Sequence, residues 1–350
     1  MKAMIVKEFR ELRRDRRTLA MLVVLPTLLM VIFGYAANFS VTTVRTTVVG
    51  PRALATQARL PSLFDVTAVE PDAGSAQATA ALRRGTASVV LDTTTTPITA
   101  RVDGADLFAA QSAVGALSKL GFSDVKILFN PGLKTSWYLV PSVIGLILTF
   151  VGTVIASIGL VREREAGTLE QLAVMPLRPT DVIGGKIAPY FVLAGIDLVL
   201  VTLLGVGLFG IPFNGNILVY ALGAVLFLFT VLGLGVLIST LSRTQGQAIQ
   251  GAMLVLLPQV LLSGMIFPLA AMPWAVRWIG YGLPLTYFST ISRGVMLRAA
   301  PLASLWRSLV ALAVMASVIF SLAVLRFRRD LAPSRPVHHR SAPADGSAGV

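Results

Sequence analysis

The chain has 350 residues, of which 55% are hydrophobic and 13% are charged, and its mean hydropathy is +0.77. This composition is too apolar for a soluble globular domain and is typical of a protein that crosses the membrane several times. The net charge of +13 does not indicate nucleic-acid binding, because the basic residues stand mostly at the ends of apolar segments and no basic stripe with interleaved aromatic residues is present.

The first 37 residues combine a basic segment with an apolar one. Residues 1–18 hold seven Lys and Arg residues with apolar residues at helical spacing between them, which predicts a cytoplasmic amphipathic helix in the headgroup layer. Residues 19–37 are apolar and long enough to cross a bilayer. This segment is too long for a signal peptide and no clear cleavage pattern follows it, so we interpret it as a retained first span.

The polar, Thr- and Ala-rich segment 38–138 predicts a small α/β domain between the first two spans. Alternating apolar residues indicate strands, and two helices are expected between them, the second ending at Gly85. We expect strands at 42–49, 64–69, 87–91 and 98–102 and helices at 53–60 and 76–84. The acids of this segment have no paired spacing and no histidine or cysteine beside them, which argues against a hydrolase.

Five further apolar segments complete an α-helical polytopic fold with six predicted transmembrane helices. They lie at 139–161, 187–209, 217–240, 248–268 and 306–326. With the N-terminus in the cytoplasm, the cytoplasmic segments hold 17 Lys and Arg residues and the short outer loops hold 4. We therefore expect both termini and the loop 162–186 in the cytoplasm, the α/β domain outside, and residues 327–350 as a disordered tail. Prolines and aromatic residues at 269–305 indicate interfacial or re-entrant helices on the outer side.

Two features within the predicted spans are candidates for function. Small side chains at three- and four-residue spacing cover one face of the second span, at Gly145, Thr149, Gly152, Ala156 and Gly159. Such a face lets another helix come close, either within the chain, at a dimer seam or along a substrate pathway. Asp197 lies in the middle of the third span, where it has either a coupling or transport role or a structural one, protonated or hydrogen-bonded to a neighbouring helix.

The loop at 162–186 carries a dense cluster of charges. Its apolar residues at helical spacing predict a short amphipathic helix that Pro176 and Pro179 end and that suits docking into another protein. The chain contains no P-loop pattern, so a nucleotide-driven activity needs a partner that binds ATP and Mg²⁺. No cofactor or metal is expected in the chain itself, because cysteine is absent and the two histidines, His338 and His339, stand in the polar tail.

Three motifs in this order resemble the ABC type-2 permeases, which are the membrane-spanning subunits of ABC exporters. The first comprises residues 7–9, 13–19, 26 and 33–35, the second residues 162–165, 167–172, 175–177 and 185–186, and the third residues 263–264, 267–268, 272–273, 283–287 and 293–294. The resemblance covers essentially the whole chain except the tail. The inserted domain is similar to that of the subgroup with an extended extracellular insertion between the first two spans.

The resemblance implies a second permease, identical or related, and two copies of a cytoplasmic ABC ATPase as partners. It implies that the ATPase receives a coupling helix at Arg162, Glu163, Arg164, Glu165, Gly167, Thr168, Leu169, Glu170 and Leu172, beside an N-terminal interface helix with Lys7, Glu8, Arg13, Arg14, Asp15 and Arg16. Glu165 and Glu170 are then either charged contacts to the ATPase or a buttress to the N-terminal helix. Closure of the ATPase on nucleotide then tilts the second and third spans and gives alternating access.

The resemblance also implies a transport pathway or dimer seam near the second and fifth spans. The candidate residues are Gly145, Thr149, Phe150, Gly152, Thr153, Asp197, Leu256 and Gln259. Apolar walls with few charges favour an amphipathic cargo, such as a drug, an antibiotic or a lipid, exported across a bacterial cell membrane. The alternative function is a membrane-anchored sensor or assembly protein with a ligand-binding outer domain, although such a sensor is expected to carry a cytoplasmic output domain that this sequence does not show.

Overall fold

The computed structural model describes Thr27, Met30 and residues 41–166 and 179–330. Four interpretations therefore lie outside the described residues: the interface helix at 1–18, nearly all of the first span at 19–37, the middle of the coupling loop at 167–178, and the tail from 331. The described part consists of an α/β domain followed by a bundle of helices.

A five-stranded sheet forms the α/β domain that the sequence predicts for this segment. Its strands are β1 (Val44–Val49), β2 (Phe64–Glu70), β3 (Val89–Asp92), β4 (Thr99–Asp103) and β5 (Asp124–Leu128), and its helices are α1 (Ala53–Gln57), α2 (Ser75–Arg84) and α3 (Leu107–Lys119). The strand order is β2-β1-β3-β4-β5. Strand β1 runs parallel to β2 and β3, β4 is antiparallel to β3, and β5 is parallel to β4.

Helices cover both faces of this sheet. Leu91 of β3 packs in one buried cluster with Leu117 of α3, and Val90 packs in a second cluster with Leu82 of α2. All four residues of β3 are buried, as expected for a strand with neighbours on each side and helices above and below. The four predicted strands and both predicted helices are present, and Gly85 is confirmed as the end of α2, in the left-handed region with a φ of 69°. The sequence analysis missed α3 and β5.

The rest of the described chain is helical. It comprises α4 (Thr135–Glu165), α5 (Pro179–Phe209), α6 (Ile217–Leu241), α7 (Gln245–Leu262), a 3-10 turn at Leu269–Ala271, α8 (Trp274–Tyr281), α9 (Pro284–Met296) and α10 (Leu302–Asp330). Within the described residues, four stretches are long and apolar enough to cross a membrane, namely Thr135–Glu165, Ile187–Phe209, Ile217–Leu241 and Leu302–Arg326.

The predicted count of six spans is therefore met only in part. The first predicted span lies outside the described residues, and the predicted fifth span at 248–268 corresponds to α7, which is not among the four apolar stretches. Helix α7 begins three residues before the predicted span, and its 18 residues include four glutamines, at positions 245, 247, 250 and 259, which lower its mean hydropathy. It ends at Leu262, before the predicted limit, because the chain turns at Gly264, whose φ is 81°.

Two helices extend into the segment predicted as a loop at 162–186. Helix α4 continues to Glu165, so that Arg162–Glu165 form its last turn. Helix α5 begins at Pro179, because a proline suits the first turn of a helix, where its missing N–H group is not needed. Only residues 167–178 between the two helices lie outside the described part.

Helix α6 is the centre of the bundle. Its most apolar stretch is 61% buried, against 11% for the corresponding stretch of α5. A Cβ atom at Gly235 of α6 would stand 2.7 Å from the Cβ of Ala156 and from the backbone oxygen of Thr153, so α6 and α4 approach closely there. On another side of α6, the ring of Phe227 stacks on Phe288 of α9 with centroids 4.5 Å apart. Helix α6 therefore holds α4 and α9 in place.

We expect Gly235→Ala to destabilise the protein, because the added methyl group collides with a helix backbone that cannot move aside. Overpacking of this kind typically costs about 1–3 kcal/mol. The matched control is Gly195→Ala on α5, where a Cβ would have no neighbour within 4 Å. Thermal unfolding of the two variants in detergent measures the difference, and equal midpoints would show that the α4–α6 contact is loose.

Ionic and aromatic contacts join the α/β domain to the bundle. Arg298, which follows α9, forms an ion pair with Asp103 at the end of β4, with 3.4 Å between Nε and Oδ2. Phe108 of α3 meets Tyr138 of α4 edge to face, with ring centroids 5.4 Å apart. The hydroxyl of Tyr138 in turn donates to the carbonyl oxygen of Gly264 at 2.9 Å. The domain is thereby attached to the bundle at Arg298 and at Tyr138, and Tyr138 is itself bound to the turn at Gly264.

Burial raises the pKa of Asp103 from 3.8 to about 6, although the positive charge of Arg298 acts in the opposite direction. The negative charge of Asp106 also raises this pKa, and Arg293 lowers it. A carboxyl group whose folded pKa is raised stabilises the fold below its unfolded pKa, and this contribution is lost as the pH rises through the folded pKa.

We therefore expect the protein to lose up to about 3 kcal/mol of stability between pH 4 and pH 7 through ionisation of Asp103. Asp103→Asn removes the titrating group and should flatten this part of the pH profile of the unfolding midpoint. The control is Asp72→Asn, which changes an exposed acid of the same domain and should leave the profile as it is. A wild-type slope that persists in Asp103→Asn would contradict the assignment.

Candidate functional site

The candidate site is the end of α4 that lies farthest from the α/β domain. Helix α4 has 31 residues, which corresponds to about 46 Å at 1.5 Å per residue. Tyr138 in its first turn contacts Phe108 of the α/β domain, and its last turn consists of the charged residues Arg162–Glu165. The helix is thus long enough to place the two ends on opposite sides of a membrane.

Arg164 and Glu165 bind the turn that connects α6 to α7. The Nη1 group of Arg164 donates to the carbonyl oxygens of Ser239 at 3.2 Å and Ser242 at 2.7 Å, at the end of α6. Glu165 accepts the backbone N–H of Gln245, the first residue of α7, at 3.1 Å, and its other oxygen accepts from the side-chain amide of Gln245. These partners are about eighty positions away in the sequence, and the sequence analysis missed them.

The other two charged residues in the last turn of α4 line a groove between α4 and α5. Arg162 and Glu163 form its polar end, and Ile155 and Ile158 are among its apolar residues. Tyr190 of α5 contributes the opposite side, and the groove has a volume of about 580 Å³. Ala166, the last described residue before the gap at 167–178, also lines the groove. An apolar groove with a charged end is the surface expected where an amphipathic segment binds.

The remaining predicted coupling and interface residues lie outside the described part of the chain. They are Gly167, Thr168, Leu169, Glu170 and Leu172 in the loop, and Lys7, Glu8, Arg13, Arg14, Asp15 and Arg16 near the N-terminus. The predicted buttress between Glu165 and the N-terminal helix is therefore not tested, whereas the bonds of Glu165 to Gln245 are part of the described structure.

The small-residue face of α4 packs against helices of the same chain. A Cβ atom at Gly145 would stand 2.5 Å from the ring of Phe288, and one at Gly152 would stand 3.1 Å from Val231. Thr149 and Thr153 are buried, and the hydroxyl of Thr153 lies 3.5 Å from the carbonyl oxygen of Val231. Of the three alternatives for this face, packing within the chain accounts for the described contacts.

The other predicted pathway residues are placed differently from one another. Phe150 is 42% exposed on the outer surface of α4, whereas Leu256 of α7 is half-buried. Gln259 is completely buried, and its Oε1 accepts the backbone N–H of Leu285 at the start of α9 at 3.3 Å. Gln259 therefore connects α7 to α9 at the end of the bundle that carries the domain.

Asp197 is half-buried on α5, and its Oδ2 atom is buried without a hydrogen-bond partner among the described residues. A buried carboxylate oxygen without a partner costs free energy in an apolar environment. The described structure thus leaves the functional alternative for Asp197 open and gives this atom no structural bond.

We expect Asp197→Asn to keep or raise the thermal stability, because it replaces a carboxyl group whose buried Oδ2 has no hydrogen-bond partner among the described residues. Asp124→Asn is the comparison, since Oδ2 of Asp124 accepts the hydroxyl of Thr99 at 2.6 Å and the weaker amide acceptor should cost about 1 kcal/mol. Unfolding midpoints in detergent test this pair of variants. A loss in Asp197→Asn as large as that in Asp124→Asn would mean that Asp197 is structural.

Arg293 is a further polar residue that sequence reasoning did not single out by its chemistry. Its guanidinium lies 4.5 Å from the ring centroid of Tyr138, and its Nη2 points to the carbonyl oxygen of Gly264 at 3.5 Å. A lone arginine in an apolar helix is the only sequence signal for such a contact. Among the described residues, no group of three or more His, Cys, Asp or Glu side chains is arranged to hold a metal ion.

Comparison with known proteins gives this architecture a family. The sequence model described as ABC-2 family transporter protein matches residues 16–325. The chain belongs to the ABC-2 transporter family. The match includes helices α4 and α5, the α6–α7 turn and the whole α/β domain.

Two bacterial relatives and one eukaryotic relative illustrate the similarity of this ABC-2 chain. The probable multidrug ABC transporter permease YbhR of Escherichia coli is 34% identical over 207 residues, which are 59% of this chain and 56% of YbhR. The probable multidrug ABC transporter permease YbhS of the same organism is 28% identical over 337 residues, 85% of this chain and 88% of YbhS. ABC transporter G family member 20 of Dictyostelium discoideum is 29% identical over 173 residues, 49% of this chain and 24% of that protein. The matched part of the chain thus spans little more than half the length of YbhR.

Proposed function

We propose that this chain is the permease subunit of an ATP-driven exporter that moves amphipathic small molecules out of the cytoplasm or the inner leaflet. The observation that carries the proposal is the family match over residues 16–325, which includes the charged end of α4 and helix α5 that follows it. The relatives YbhR and YbhS are named probable multidrug ABC transporter permeases, and this supports a drug-like cargo.

The partners in this proposal are a second permease, identical or related, and two copies of a separate ABC ATPase that binds ATP and Mg²⁺. The chain itself acts as a transport subunit and not as an enzyme. Arg162 and Glu165 are exposed at the end of α4, which supports a protein-binding surface there. The ATPase contact then continues through Gly167–Leu172, with the N-terminal interface helix beside it.

The mechanism follows from how the two flanking helices are anchored. The end of α4 and the start of α5 both border residues 167–178, so a displacement of this segment acts on both helices. Helix α4 packs against α6, α7 and α9, and it therefore cannot tilt without moving its neighbours. Closure of two ATPases on nucleotide thus changes the helix arrangement of both permeases and gives alternating access.

The sidedness in this proposal rests on the distribution of basic residues. The charged end of α4, both termini and the α6–α7 turn are cytoplasmic, and the α/β domain faces outward from a bacterial inner membrane. The 31 residues of α4 support this arrangement, because its ends are far enough apart to lie on the two sides. The cargo passes near the exposed Phe150 and the second permease.

Co-purification with ABC ATPases of the same organism, co-expressed with this chain, tests the proposal. Wild type in detergent should retain the ATPase in a stoichiometric complex that hydrolyses ATP. Leu169→Asp with Leu172→Asp should abolish this binding, because the two changes place charges on the predicted apolar ridge of the coupling helix. The control is Asp72→Arg, a charge change on the exposed surface of the α/β domain, which should retain the ATPase.

Two results would contradict the proposal. If wild type retains no ATPase, the chain is not an ATP-driven permease of this kind. If Leu169→Asp with Leu172→Asp binds the ATPase as well as wild type, the coupling surface lies elsewhere on the chain.

A further inference from the structure

The turn between α6 and α7 presents two helix ends of opposite polarity side by side. The last carbonyl groups of a helix lack partners and carry partial negative charge, and the first N–H groups carry partial positive charge. In this turn Ser242 is the C-cap of α6 and Thr244 is the N-cap of α7, so only Arg243 lies between the two capping residues. The hydroxyl of Thr244 accepts the N–H of Gln247 and satisfies one donor of α7.

Two consecutive residues of α4 satisfy both of these helix ends. The cation of Arg164 binds the carbonyl oxygens of Ser239 and Ser242, at the negative end of α6. The anion of Glu165 binds the N–H of Gln245, at the positive end of α7, and also the amide of its side chain. Each charge has the sign that its helix end favours, and charge-assisted bonds of this type are about twice as strong as neutral ones.

The geometry of a helix explains how two neighbouring residues reach two different helices. Successive residues on a helix differ in direction by about 100°, so Arg164 and Glu165 point to different sides of the last turn of α4. The α6–α7 turn is thereby bound at both of its helix ends. We name Arg164 and Glu165, with their bonds to this turn, the double cap.

We propose that the double cap transmits movement of the α4 end to α7, so that Arg164 and Glu165 are positioning residues for transport. This inference rests on the proposed function, in which an ATPase displaces the chain that follows α4. The ATPase movement then acts on three helices: α4 and α5, which flank residues 167–178, and α7, which begins at the double cap.

Helix α7 is built to carry such a movement to the far end of the bundle. It has 18 residues, which corresponds to about 27 Å. Its first residue is bound by Glu165, and Gln259 in its last turn accepts the N–H of Leu285 at the start of α9. A single helix, with Pro258 near its end, therefore connects the charged end of α4 to the helix that lies beneath the α/β domain.

The double cap could act as a brace, which only stabilises the fold, or as a device that transmits movement, and the two roles lead to different expected results. Loss of a brace lowers the unfolding midpoint and leaves the coupling between ATP hydrolysis and transport intact. Loss of a transmitting device uncouples the two, because the ATPase still moves α4 but α7 no longer follows. Allosteric coupling energies correspond to changes of at least about fivefold.

The experiment uses the natural absence of cysteine, which allows two spin labels to be placed on the full chain. Ala166→Cys and Gln250→Cys report the separation between the α4 end and the first turns of α7, and both sites are exposed. The distance distribution is measured by electron paramagnetic resonance in lipid nanodiscs, without nucleotide and with the bound ATPase trapped by ATP and vanadate. The test variant is Arg164→Ala with Glu165→Ala, and the matched control is Arg243→Ala, an exposed arginine in the same turn.

In wild type and in Arg243→Ala we expect one narrow distribution that stays the same in both states, because the two helix ends move together. In Arg164→Ala with Glu165→Ala we expect a broad or displaced distribution in the trapped state. In proteoliposomes this variant should move at least about fivefold less ethidium per ATP hydrolysed by the ATPase that it binds, a ratio that does not require wild-type affinity for the ATPase.

A test variant with the wild-type distance distribution in both states overturns the proposal, and so does a wild-type separation that changes between the states. A lowered unfolding midpoint with an unchanged ratio of ethidium to ATP identifies the double cap as a brace and also overturns it. If wild type binds no ATPase, the permease function fails, and the nucleotide-free distributions of wild type and variant still decide whether the double cap holds the two helix ends together.

Discussion

Close packing of α4 on α6 is the constraint on which the rest of the bundle depends. Apolar side chains gain little by moving from lipid to protein, so helices in a membrane associate through tight contact between their backbones. The contact between Gly235 and the backbone of Thr153 provides this, and the small residues on α4 continue it towards Phe288. Because α4 is held along its length, the position of its first turn beside the domain and that of its charged last turn are fixed relative to each other.

The sequence predicted the fold where one residue pattern has one physical meaning. Long apolar segments gave the four spans, and period-two alternation gave four strands. Helix α3 was missed because alanines, such as Ala110 and Ala113, form much of its buried face, so that its apolar periodicity is weak. The end of α7 was predicted too late in the chain, because the residues after Leu262 are also apolar. The turn at Gly264 is evident only from the backbone conformation.

Of the candidate site, only the charged residues at the end of α4 could be predicted from the sequence. The run from Arg162 to Glu165 is evident as a cluster, but its partners are backbone groups of Ser239, Ser242 and Gln245. Backbone carbonyl and N–H groups are the same in every residue, so no sequence pattern marks them as partners. The small face of α4 presents a similar ambiguity, since packing within a chain and packing between chains require the same residues.

The junction at Asp103 makes the α/β domain difficult to exchange between relatives. A Cβ atom at Gly85 would stand 2.4 Å from Nη1 of Arg298, so the residue that ends α2 also leaves room for an arginine of the bundle. The guanidinium of Arg298 is the end of a flexible side chain and can shift, so a domain transplanted from another permease needs above all an acid opposite this arginine. The insertion and the bundle that carries it are constrained to evolve as one unit, and hybrids made by cutting at the ends of the insertion should misassemble unless Arg298 is exchanged with it.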